Sequence, residues 1–301
     1  MCRGPTSRGP PRLLSSLESF DSKDGSPPHF ASFCLTGAAV IGMLCASEQL
    51  FRQIFLRCTD WLPVLENETN RAILARHVGV DSFSCFLIAY LGWKNYDICA
   101  GVLRDVLTGK GMPKAAHDKR LYTYEPAGFR ISLVFFFYQV KNLYDTILWN
   151  DGPEYIFHHV FSLLTAWGAM YPSSGHFYSI FFFGLCEVST AILCLLANFD
   201  DEHGVPGLGD ALPVAKLVLG GLFIVSFIVC RCILWPIFSY YFCRDVLQAL
   251  KNKDDPRLQG RRGWLKFFLV SLSGLSLLQV AWLGEILRVA HTEVSQILAS
   301  M

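Results

Sequence analysis

Two adjacent histidines, His158 and His159, stand at the head of an apolar run, Val160 to Tyr171, with the carboxylates Asp151 and Glu154 just upstream. Ionisable groups at membrane depth mark functional sites by default. At about 100° per residue, a helix would place Asp151, Glu154 and His158 within about 60° of one another and turn His159 about 100° further round. A carboxylate one turn from a histidine fixes its tautomer and raises its basicity, the arrangement of a general base. Two such histidines can act as base and electrophile, or as acyl acceptor and base. The acids also have a purely structural reading. Asp151 and Glu154 have capping-box spacing and Pro153 suits a first helical turn, but a cap does not call for two histidines.

Other polar residues fall inside or at the edge of apolar runs: Lys141, Asp145, Glu187, Arg231 and Glu285. Insertion of a central Asp, Lys or Arg costs roughly 2.5–3.5 kcal/mol, so pairing is expected, Arg231 with Glu187 or Asp145 and Lys141 with Asp145 one turn on. Gln139 and Asn142 share a face, and Glu187, Thr190, Cys194 and Asn198 form one polar stripe by their spacing. These groups predict a shared polar cavity between helices. Metal chemistry is not expected. Neighbouring histidines on a helix diverge, and His29, His77, His117, His176, His203 and His291 are isolated. Cys230 and Cys232 lie about 200° apart on a helix.

The scaffold follows from composition. The 301 residues are 52% hydrophobic and 17% charged, against about 25% charged in soluble domains. Several runs reach the roughly 20 residues that cross a bilayer, which predicts an all-α, multi-pass transmembrane bundle of about seven spans. A net charge of +1 argues against nucleic acid as a partner. Residues 1–31 read as a disordered tail, rich in Pro, Gly, Ser and Arg. Residues 32–70 hold the first span, about Phe33 to Phe55, and a loop with the sequon Asn67-Glu68-Thr69. Residues 71–290 hold the rest. Its second span runs from about Val80, with its membrane part ending near Trp93 and an interfacial stretch at Tyr96 to Leu107. The remaining spans run Phe129 to Trp149, the stretch opening at Asp151 to Tyr171, His176 to Phe199, Leu212 to Phe242 with a kink at Pro236, and Leu265 to Val289. Residues 291–301 form a short tail. Basic residues, Lys251, Lys253, Arg257, Arg261 and Arg262 among them, concentrate on the side of the N-terminal tail. The positive-inside rule therefore places that side in the cytosol, and Asn67 and the histidine pair near the lumenal end.

The element Asp151-x-x-Glu154-x-x-x-His158-His159 resembles the first half of the Lag motif of the TLC superfamily, which includes the ceramide synthases. Glu187-Val188-Ser189-Thr190 stands where those enzymes carry Asp-x-Ser-Asp. Arg231 through Trp235-Pro236 to Tyr240 is similar to the sixth helix of the smaller TLC-domain proteins. The resemblance covers roughly Arg71 to Val289. It implies a six-helix barrel around a lipid-sized cavity in a membrane of the endoplasmic reticulum, with membrane lipids as partners and no bound cofactor. In active members it implies N-acyl transfer from acyl-CoA, as co-substrate, to a long-chain amine. His158 or His159 would take the amine proton or carry the acyl group, Glu187 would assist beside Asp151 and Glu154, and Asp145, Asn142, Thr190, Asn198 and Arg231 would line the polar floor. Thr190 replaces the second aspartate, which is closer to the non-synthase members and gives an alternative: a non-catalytic lipid-binding protein that regulates membrane composition. The synthases open towards cytosolic acyl-CoA, which conflicts with a lumenal histidine pair.

Overall fold

The computed structural model describes residues 30–110, 116–171 and 173–300, so the expected N-terminal tail lies outside the described residues except where Phe30 and Ala31 open the first helix. In chain order the helices are α1 (Phe30–Leu56), α2 (Glu68–Lys94), α3 (Tyr96–Thr108), α4 (His117–Tyr122), α5 (Pro126–Trp149), α6 (Pro153–Met170), α7 (His176–Phe199), α8 (Pro213–Lys251) and α9 (Arg262–Ser300). Seven of them are long, and no strand occurs among the described residues.

Helices α1, α2, α7, α8 and α9 are long and apolar enough to cross a membrane. Helices α5 and α6, of 24 and 18 residues, have the length but not the apolarity. The reason is chemical, since they carry Gln139, Lys141, Asn142 and Asp145, and Glu154, His158 and His159. Several of these groups bond within the bundle, Gln139 to His159 and Lys141 to Asp145 and Glu48, while Glu154 is exposed. Helix α5 is interior, with every residue from Phe129 to Gln139 buried except Arg130. Pro126, Pro153 and Pro213 each sit in a first helical turn, where the missing N–H has no helical partner to lose. Asn150, at φ 56°, ends α5 in the left-handed conformation, and Gly152, at φ 131°, aims the chain into α6.

The second span departs from its expected start. It begins at Glu68, not near Val80, because Asn67 caps it by accepting from the Thr69 N–H (2.8 Å). The polar residues Arg76, His77 and Asp81, which interrupt its hydropathy, are buried against other helices. Three helices contain a π-helical turn: His77–Ser82 in α2, Ile180–Leu185 in α7 and Ile228–Leu234 in α8. The last runs up to Trp235-Pro236, so the bend expected at the proline, which has no N–H to donate, coincides with a wide turn.

Aromatic packing fills the bundle, for example Phe181 stacked on Phe238 with ring centroids 3.9 Å apart. Helices α2 and α7 come together at Gly92 and Gly184, where a Cβ on Gly92 would meet the Leu185 backbone nitrogen at 2.6 Å. Small residues permit such approach between membrane helices. Helix α3 buries Cys99 and Val102 and exposes Val106 and Leu107, as an interfacial helix does. At the basic end Arg120 of α4 forms a buried ion pair with Asp245 of α8. Tyr178 of α7 donates to the same carboxylate (2.6 Å), so α4, α7 and α8 are tied together.

Candidate functional site

The histidine pair is divided between two polar centres. His158 lines a cavity enclosed by α5, α6, α7, α8 and α9, while His159 points into a separate cluster of charged residues. The rings, 5.2 Å apart between centroids, form an edge-to-face contact at the boundary.

The cavity follows the helix periodicity. Along α6 it is lined by His158, Ser162, Thr165 and Ala169, along α7 by Tyr178, Phe182 and Glu187, and along α9 by Phe268, Ser271, Leu275 and Gln279. From residue 158 to 169 the helix rise of about 1.5 Å per residue gives a length of about 16 Å. The space between these side chains measures about 710 Å³, including the part that opens outward. Its walls are mostly aromatic and aliphatic with serine and threonine hydroxyls along their length, and its charged groups, Glu187 and Arg231, stand at the His158 end. There Arg231 donates to Glu187 Oε1 (3.3 Å), Thr190 Oγ1 (2.9 Å), Ser189 Oγ (3.2 Å) and the Cys186 carbonyl (3.3 Å). The other carboxylate oxygen of Glu187 accepts from Cys85 (3.5 Å). The imidazole of His158 packs its ring near Trp282 (5.4 Å), and its Nδ1 has no hydrogen-bond partner.

The second centre joins α1, α2, α5 and the turn before α6. Arg76 donates to Asp151 (3.2 Å), faces Asp81 at 4.0 Å and contacts His77 Nε2 (2.9 Å). The other ring nitrogen of His77 meets Asn198 Oδ1 (3.0 Å). Lys141 pairs with Asp145 and with Glu48 (3.1 Å). His159 Nδ1 bonds to Gln139 Oε1 (2.7 Å), and Asn142 donates to the Tyr138 hydroxyl (2.9 Å).

The expected residues are thus sorted. His158, Glu187, Thr190 and Arg231 meet at the cavity. His159, Asp145 and Asp151 belong to the charged centre, Asn198 adjoins it through His77, and Asn142 sits beside Tyr138. Glu154 is exposed and touches neither. The predicted face of Asp151, Glu154 and His158 does not form, because Asp151 precedes the helix. Neither acid caps α6, whose cap is Gly152 without a side-chain bond. Arg231 chooses Glu187, not Asp145, and Glu285 lies exposed with Arg288. Among the described residues no three His, Cys, Asp or Glu side chains converge as metal ligands would.

Arg76, His77, Asp81, Glu48 and Gln279 were not singled out by the sequence reading. A signal existed for the first three: Asn67 followed by the periodic Ile73, Leu74, Val78 and Val80 marks a capped helix that runs through them. No curated protein and no solved structure matches the chain. A family model described as the TLC domain matches residues 76–288, from Arg76 of the charged centre past Gln279 of the cavity. That span takes in more than two thirds of the 301 residues, the cavity and all of the charged centre except Glu48, and the chain belongs to the TLC-domain family.

Proposed function

We propose that this protein takes the chain of a membrane lipid into the cavity, with the lipid's polar end at His158, Glu187 and Arg231, and acts on membrane-lipid composition through that binding. The cavity carries the reading. An apolar passage about 16 Å long, estimated from helix rise, ends in a compact polar group, the shape and polarity of an acyl chain with a head. The passage extends from His158 towards Ser174 and Gly175, on the side that carries Arg120 and Arg244. With that side cytosolic by the charge rule, a cytosolic ligand reaches His158 along the passage although the histidine lies nearer the lumenal end.

N-acyl transfer is the second reading, favoured by the unpartnered His158 Nδ1 at the cavity. In it the nitrogen of a long-chain amine attacks the thioester carbonyl of acyl-CoA. The C–N bond forms, the C–S bond breaks, His158 takes the amine proton and the departing thiolate is reprotonated. Binding is the better supported of the two because no carboxylate orients His158. Glu187 is engaged by Arg231, Asp151 by Arg76, and Glu154 is exposed. Native mass spectrometry of the purified chain should find a co-purifying lipid, and incubation with labelled acyl-CoA and long-chain amines should yield no amide. Amide formation that disappears in His158→Ala would instead establish the transfer reading, and a lipid-free protein would refute binding.

A further inference from the structure

At the polar end of the cavity stands an amide side chain both of whose polar atoms lack a partner. Gln279 is 6% exposed, and neither its Oε1 nor its Nε2 has a partner in the protein. Its place is firmly set. On α9, Ser271, Leu275 and Gln279 recur every fourth residue and line the cavity. Thr165 and Ser271 share a hydrogen bond (2.7 Å), Trp235 donates to Ser276 (2.9 Å) and Trp282 meets the His158 ring (5.4 Å). These contacts from α6 and α8 fix the rotation of α9, so Gln279 has no route to lipid or water by turning its helix. An amide buried at membrane depth without a partner is costly, and the costs of such groups are what make a site selective. Other amides of the bundle are matched, Gln139 by His159 (2.7 Å), Asn142 by Tyr138 (2.9 Å) and Asn198 by His77 (3.0 Å).

We infer that Gln279 reads the head of the lipid in the cavity, selecting an uncharged group that offers a hydrogen-bond donor and an acceptor side by side, as a carboxamide does. This rests on the lipid-binding reading above. The carboxamide of Gln279 presents one acceptor and a donor pair, which a second amide matches with two parallel bonds. An ester supplies only acceptors and leaves Oε1 unpaired. An anionic head would sit beside Glu187, whose charge is already matched by Arg231, and would have to compete for that guanidinium. The unpartnered Nδ1 of His158 offers a further bond to the same head.

Competition binding to the full-length chain in a non-ionic detergent tests this, with radiolabelled oleamide displaced by oleamide, methyl oleate or oleate. The three probes share one chain and differ only in the head. Unlabelled oleamide is expected to displace at least about tenfold more effectively than methyl oleate or oleate, a difference of about 1.4 kcal/mol. Gln279→Met, which keeps the volume and removes both polar groups, should lower oleamide to the level of methyl oleate and leave methyl oleate unchanged. Equal displacement by oleamide and methyl oleate in the wild-type protein overturns the inference without recourse to any variant and leaves lipid binding standing. So does an undiminished preference in Gln279→Met. Absence of saturable binding by all three probes overturns both readings.

Discussion

His158 and His159 are neighbours in sequence, yet they serve centres of opposite character. The centre around His159 is dense with charge. Glu48, Arg76, Asp81, Lys141, Asp145 and Asp151 gather from α1, α2, α5 and the turn before α6, and most are spoken for by each other. The centre around His158 holds one matched ion pair, Glu187 with Arg231, and keeps unpartnered polar atoms beside unfilled space. The difference separates a brace from a receptacle. Charges that satisfy one another join helices that hydrophobic forces alone would not hold in register within lipid. Polar groups left without partners beside a cavity leave bonds for something else to make. None of Arg76, Asp81, Lys141, Asp145 or His159 lines the cavity.

Substitutions rank the two centres. Asp145→Leu takes from the buried Lys141 one of its two carboxylates and leaves it Glu48 alone, a loss of about 1.5–3 kcal/mol for a hydrogen bond to a charged group. Thermal unfolding in detergent should show the largest loss of this set, and adding Lys141→Met should restore much of it. If Asp145→Leu melts like the wild type, the charged centre is no brace. His159→Phe removes the partner of Gln139 and should cost about 1–3 kcal/mol for the amide left unmatched, while the amount of co-purifying lipid stays the same. His158→Ala inverts this pattern. Its stability should change by less than about 1 kcal/mol, since the truncation faces space already open, but lipid retention should fall. A His159 variant that loses lipid as readily as the His158 variant would show that the two centres act as one. Glu154→Gln, on the surface, should shift stability by no more than about 0.5 kcal/mol in either direction and leave lipid retention unchanged. A large effect there would restore the acid to the site.

Much of the frame was legible in the sequence because hydropathy reports what a residue costs in lipid. The long helices follow from it, as does the break after Trp93. The kink expected at Pro236 came from the proline's missing N–H, and a π-helical turn over Ile228–Leu234 stands just before it. The pair of Lys141 with Asp145 and the meeting of Glu187, Thr190 and Arg231 were legible from helical spacing together with the cost of isolated charge. Spacing failed where the chain is not helical. Asp151 was counted on the face of α6, but Gly152 turns the chain before the helix starts, and the carboxylate goes to Arg76. Hydropathy failed where a helix is buried on nearly all sides. Arg76, His77 and Asp81 depress the average over α2 and hide its first three turns. Gln279 is visible inside the last span, but nothing in the sequence assigns it to the site, since a single amide in an apolar helix barely alters the average. What marks it is the lack of a partner, a property of three dimensions.

The π-helical turns bear on how such a protein can change. Each holds one residue more than an α-helical turn, and each lies beside or within a polar centre: His77 and Asp81 fall inside one, Glu187 follows another by two positions, and Arg231 falls inside the third. An extra residue advances everything beyond it by about 100° around the helix axis. The turn therefore acts as a phase shifter, letting the two halves of one helix present faces that a regular helix would keep out of alignment. Losing a residue other than Arg231 from Ile228–Leu234 would remove no cavity-lining side chain, yet it would swing Trp235, Phe238 and Phe242 relative to the first half of α8. In this architecture the shape of the cavity can be retuned by chain length at three points, independently of which residues line it.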